Sequence, residues 1–189
     1  MMERCFEKML VEQCAPTLAG VKPANLFRFG GMELETIHRF VADWDRRLTP
    51  KGLRVTVLKE CHKTSACMIY VYREEWLGRI LSDAENRVFL QRMGYRTEDG
   101  IGMLNLLSQR FCLEQEYPHE IGVFLGYPLE DVIGFIENRG WNYTCCGLWK
   151  SYGDPVAAEA CFARYRNCTS QYKRMYDLGI SVIQLAVAA

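Results

Sequence analysis

The stretch 118–132, PHEIGVFLGYPLEDV, constrains what this chain can fold into more than any other. Its apolar run at 121–125 is short and uninterrupted, the pattern of a strand covered on both faces. Gly126 permits a sharp turn, Pro128 suits a first helical position, and Glu130 and Asp131 suit the positive start of a helix. The reading is a buried strand that turns straight into a helix. In α/β proteins ligands settle where strand ends meet helix starts, so the stretch also nominates a location for function.

The remaining elements are read around that unit. A helical pattern covers 3–14, with Phe6, Met9 and Leu10 on one side, and Pro16, Gly20 and Pro23 break it. A strand is expected at 25–29. Leu34, Ile37, Val41, Trp44 and Leu48 recur at three and four, which predicts a helix over 33–48. Strands at 53–57 and 67–72, joined by a short polar segment, predict an antiparallel hairpin. Helices follow at 77–88 and 99–115. After the central strand come a helix at 129–138, a strand at 144–149, a long helix opened by Asp154 and Pro155, and a last strand at 181–187. The expected fold is a single α/β domain over 1–189, with a mixed, mostly parallel sheet of about five or six strands flanked by helices.

Composition narrows the function classes. The formal net charge is zero and the pI near 6.8, so nothing pulls the chain globally toward nucleic acid or an anionic membrane. Charges at Glu3, Arg4, Glu7, Lys8 and Glu12 interrupt any signal-peptide core, and the apolar 181–189 is too short to span a bilayer. The chain is read as cytoplasmic and mature as written. Nine cysteines, odd in number and irregular in spacing, argue against a disulfide framework in a reducing compartment and for small buried apolar residues.

The parallel topology places all strand carboxyl ends on one edge. Gly126 and Tyr127 end one strand, Lys150, Ser151 and Tyr152 end the next, and Arg73 joins them if its strand runs the same way. Helix starts near 129 and 155 would add partial positive charge. Arg73, Lys150 and backbone N–H groups then form a rim for a small anion, with Tyr127, Trp149 and Tyr152 as an aromatic wall. Tyr152 is the best proton donor, because Lys150 beside it would lower its pKa. The competing reading pairs Arg73 with Glu74, Glu75 or Asp154 and leaves the tyrosines as plugs.

Other motifs are weaker. No glycine-rich nucleotide loop, phosphate-binding loop or nucleophile elbow is present. His119 and Glu120 suit proton transfer, but on a straight strand they stand roughly 20 Å from Gly126, at about 3.3 Å per residue. Structural roles are expected for both. Cysteines cluster at Cys61 with His62 and Cys67, at Cys145 and Cys146, and at Cys161 with Cys168, none with metal-binding spacing. Cys14 opens a Cys-Ala-Pro-Thr tetrapeptide that echoes a redox motif, yet it follows a helix instead of starting one.

Over nearly its whole length the chain resembles a bacterial family catalogued as domain of unknown function 3793. The resemblance rests on 14–20 with Lys22, on 69–73, on 118–128, on 147–152, and on Cys168 with Tyr172. It implies one family-wide domain and brings no activity. That family more often carries histidine where this chain has Gln13 and valine where it has Ser151, so a His-Cys site at 13 and 14 does not carry over. Three functions are weighed. The first is binding, with or without transformation, of a small anion by Arg73, Gly126, Tyr127, Lys150 and Tyr152. The second is an iron-, haem- or thiol-linked redox accessory using His119 and some of Cys14, Cys145 and Cys146, with His119, Glu120 and Cys14 as the alternative site. The third is a non-catalytic interaction module, such as a homodimer. The cofactor is unknown.

Overall fold

The computed structural model describes residues 2–96, 99–113 and 117–188. The chain opens with α1 (Met2–Leu18), β1 (Ala24–Gly30) and α2 (Leu34–Leu48), followed by β2 (Leu53–Cys61) and β3 (Ala66–Arg73). Then come α3 (Glu74–Ser82), α4 (Ala84–Arg92), α5 (Gly100–Leu113), α6 (Ile121–Phe124) and α7 (Leu129–Glu137). The hairpin β4 (Cys145–Cys146) and β5 (Lys150–Ser151), the long α8 (Pro155–Asp177) and α9 (Val182–Leu185) complete it. No described helix is long and apolar enough to cross a membrane.

The sheet overturns the expected mostly parallel architecture. The described strands form a three-stranded antiparallel sheet in the order β1-β3-β2 and a separate two-stranded antiparallel hairpin. Three of the expected strands account for the difference. The run 121–125 folds as one helical turn, closed by Leu125 N–H to the Ile121 carbonyl and Tyr127 N–H to the Gly122 carbonyl. Every residue of α6 is buried, so its apolar run reads the same as a strand covered on two faces. The segment 181–187 contains α9, opened by a reciprocal cap between Ser181 and Gln184. The segment 144–149 supplies only β4 and the turn into β5.

Elsewhere the periodic readings hold. The β2–β3 hairpin, α2 and α8 form where their patterns predict, and Asp154 accepts a hydrogen bond from Val156 N–H at the start of α8. Pro16 does not break α1 but lies in its last turn; the helix ends at Leu18, and Gly20 follows with φ +70°. The pattern at 77–88 is divided by Asp83, whose carboxylate accepts from Glu85 and Asn86 N–H and starts α4. The expected end of the 99–115 helix, at Gln115, lies outside the described residues.

The sheet is a middle layer. Phe27, Phe29, Val55, Ile69 and Val71 pack with α1, α2 and α9, whereas Ala24, Leu58, Tyr70 and Tyr72 pack with α3, α5, α6 and α7. Strand β3 is covered on both faces, which explains its nearly continuous apolar sequence. Tyr70 ties α6 to the sheet by donating to the Phe124 carbonyl at 2.5 Å.

Arg73, at the end of β3, is only 1% exposed. Its Nε donates to the Thr17 carbonyl at 2.8 Å, and one terminal nitrogen donates to the Leu18 and Val187 carbonyls, each at 2.9 Å. The guanidinium therefore caps the carbonyl end of α1 and fastens the C-terminal tail to it. Arg73→Met should leave these buried carbonyls without donors and lower stability by about 3 kcal/mol in urea unfolding. A loss under about 0.5 kcal/mol would contradict this role.

Candidate functional site

Asp131 lies in the first turn of α7 and is 3% exposed. One carboxylate oxygen accepts from Ser151 Oγ at 3.0 Å and from the N–H groups of Tyr152 at 2.6 Å and Gly153 at 3.1 Å. The other accepts from the Trp149 indole N–H at 2.7 Å. Four donors thus fix the 149–153 segment against the start of α7. Trp149 in turn stacks on Tyr127, with ring centres 4.6 Å apart, and meets Phe162 of α8 edge-on at 4.4 Å. Glycines allow this closeness: a Cβ on Gly147 would lie 2.2 Å from Phe162 Cδ2, and one on Gly122 would lie 2.6 Å from Val132 Cγ2.

These contacts wall a cavity of about 810 Å³. It lies between α1 (Met9, Gln13), β1 (Leu26 to Arg28), the segment from Tyr117 to Tyr127, α7 and the β4–β5 turn. Its size falls in the range of small-molecule sites. The surfaces are mostly apolar or aromatic, with Met9, Met68, Ile121, Leu125, Phe135 and Trp149 prominent. Arg28, Lys150 and His119 supply its basic groups. Its sole acidic residue among those described is Asp131, whose oxygens are already occupied by the four donors.

The structure brings some of the expected site residues together and disperses others. Tyr127, Trp149 and Lys150 line the cavity, and so does His119. The expectation that His119 is held far from Lys150 depended on a straight strand; the turn of α6 returns the chain, and the two residues line one space. Lys150 Nζ donates to the Gly140 carbonyl at 2.7 Å and lies 5.0 Å from the centre of the Tyr143 ring. His119 is exposed and packs edge-on against Phe135 at 4.8 Å.

Arg73 is held by the Thr17, Leu18 and Val187 carbonyls and does not line the cavity. Gly126 is a packing glycine with φ +73°, where a Cβ would fall 2.0 Å from Pro23 Cγ. The Tyr152 hydroxyl donates to the Trp141 carbonyl at 2.9 Å, and its ring covers Gly134. Its pKa is raised, first by desolvation and then by Asp131, opposite to the lowering expected from Lys150. Glu120 is buried on Arg110 Nε at 3.0 Å and the Tyr95 hydroxyl at 3.0 Å. Cys14 is fully buried in α1, and desolvation pushes its thiol far above the ordinary range. Cys146 lines the cavity, whereas Cys145 lies 4.0 Å from Glu159. No group of three or more His, Cys, Asp or Glu among the described residues has the arrangement of a metal site.

Asp131 and Arg28 escaped the sequence reading as site residues. Asp131 looked like one more acid at a helix start, and Arg28 was simply part of the strand expected at 25–29. Lys22 was legible only as part of a resemblance. It is 6% exposed, its backbone N–H donates to the Pro16 carbonyl at 3.1 Å, and its ammonium lies 5.2 Å from the centre of the Tyr127 ring with no carboxylate partner among the described residues.

The sequence model of a family described as Protein of unknown function (DUF3793) matches residues 10–186. The chain belongs to this family. Neither a curated protein nor a solved structure shows significant similarity to it. The matched span of the family includes every element that walls the cavity except the first turns of α1.

Desolvation lowers the Lys22 pKa from 10.5 to about 8, with Cys14 and Cys161 opposing the fall. The folded state therefore binds fewer protons than the unfolded chain between about pH 8 and 10.5, and this residue's contribution to stability rises with pH through that window. Lys22→Met should stabilise the protein by on the order of 2–3 kcal/mol near neutral pH, a gain that shrinks toward alkaline pH. Unfolding of both forms across that range measures it. A difference that stays constant with pH would show that Lys22 does not titrate this way.

Proposed function

We propose that this protein binds a small anionic molecule with an apolar, ring-bearing body in the cavity between α1, β1, α7 and the β4–β5 turn. The observation that carries the reading is the imbalance of the lining. Arg28 and Lys150 border an apolar space without a carboxylate partner among the described residues, and the one acid present is fully occupied. A cation beside low-dielectric walls attracts an anion more strongly than one in open water.

The apolar body has aromatic surfaces to rest on. Phe135, Tyr127 and Trp149 are held by packing and by Asp131 before any ligand arrives, which limits the entropy lost on binding. The hydroxyl of Tyr127 stays protonated, its pKa pushed up to about 12 by burial, and adds a neutral donor instead of a competing anion. His119, exposed at the lining, is the residue type best suited to move a proton to or from a bound ligand. This reading keeps Tyr127 and Lys150 from the expected rim and replaces Arg73, Gly126 and Tyr152 with Arg28, Trp149 and His119.

Anilinonaphthalene sulfonate, an apolar ring body with one anionic group, is a suitable probe beside its uncharged parent amine. The sulfonate should bind and raise the melting temperature, by a margin equivalent to about 2.7 kcal/mol at a hundredfold excess over its Kd. Arg28→Met or Lys150→Met should each weaken it about tenfold, since about 1.4 kcal/mol separates each decade. Equal binding of charged and uncharged forms, or variants that bind like the wild type, would contradict the proposal.

A further inference from the structure

Among the described strands, β1 is at the edge of the sheet and pairs only with β3. Its register is constant, from Ala24 opposite Tyr72 to Gly30 opposite Ala66. One position before Ala24, Arg73 N–H donates to the Pro23 carbonyl at 2.9 Å. Antiparallel pairs alternate between bonded and non-bonded, so residues 25, 27 and 29 direct their backbone groups to β3. Leu26 and Arg28 direct theirs outward.

The outward groups face the candidate site. Leu26, Phe27 and Arg28 line the cavity consecutively, and no described residue beyond β3 hydrogen-bonds to the backbone of Leu26 or Arg28. Among the described residues, one wall of the cavity is therefore a strand edge whose outward N–H and C=O groups are unpaired. Such an edge is a template for another extended chain. The Arg28 side chain lies at this edge and Lys150 on the facing hairpin, so charge complementarity selects an acidic occupant.

Resting on the proposed anion site, we propose that its ligand is an extended acidic peptide that adds a strand to the free edge of β1. The N–H and C=O of Leu26 and Arg28 pair with its backbone. Its carboxylates meet Arg28 and Lys150, and an apolar side chain enters between Phe135 and Trp149. Binding is non-covalent and sequence-tolerant along the backbone, with selectivity set by alternate side chains.

A pooled library of capped pentapeptides with one or two glutamates among apolar residues tests this, alongside anilinonaphthalene sulfonate. Selected peptides should slow hydrogen exchange at the Leu26 and Arg28 amides by about tenfold or more. Methylation of the peptide nitrogens facing β1 should abolish binding. Arg28→Pro removes an outward N–H that the sheet does not use, and edge strands tolerate proline there. It should weaken the peptide at least about tenfold beyond Arg28→Met, which removes only the charge.

Binding without amide protection, or unchanged binding of methylated peptides, would overturn the strand-addition proposal. So would a library with no binder when the sulfonate still binds, an outcome that leaves the small-anion reading standing. Failure of both probes would remove both readings.

Discussion

The candidate site depends on one carboxylate. Asp131 is buried at the start of α7, and its two oxygens accept from a serine hydroxyl, two backbone N–H groups and an indole. β4 and β5 are each two residues long and cannot hold their own shape as an isolated hairpin. The carboxylate supplies the missing constraint. By fixing Trp149 it also fixes Tyr127 and Phe162 around it, and with them the cavity wall. A fully satisfied buried network of this kind rigidifies its surroundings, whereas a partly satisfied one would destabilise them.

A second constraint operates where α1 ends. Arg73 and Lys22 are both buried, and neither has a carboxylate partner among the described residues. Arg73 is compensated by three carbonyls and the negative end of α1. The Lys22 ammonium faces the Tyr127 ring, a contact worth far less than an ion pair. The same tyrosine that walls the cavity thus covers the Lys22 ammonium.

Periodicity made part of this fold legible. Helix α2, the β2–β3 hairpin and the capped start of α8 follow from apolar spacing and from Asp154 with Pro155. The parallel sheet did not exist to be found, because short apolar runs do not distinguish a covered strand from a buried helical turn. At 121–124 tertiary burial on every side made the turn look like a strand, and at 181–184 the Ser-x-x-Gln cap was the overlooked local signal. Residues of the stretch 118–132 line the cavity, but the other residues that line it were not legible there. Arg28 lies on a strand that borders the cavity, and Asp131 is engaged because the hairpin folds back onto it. Both facts are set by long-range contacts that leave no mark in local spacing.

These features give a cavity with preformed aromatic walls, basic groups without acidic partners among the described residues, and a strand edge along one side. The most direct test uses isotope-labelled methionine methyl groups and nuclear Overhauser contacts to bound anilinonaphthalene sulfonate. Met9 and Met68 line the cavity, whereas Met175 is exposed on α8. Contacts from the probe rings to the Met9 and Met68 methyls, lost on addition of unlabelled competitor, are the predicted result. Contacts confined to Met175 or to other surface positions, or no saturable contact, would contradict the account.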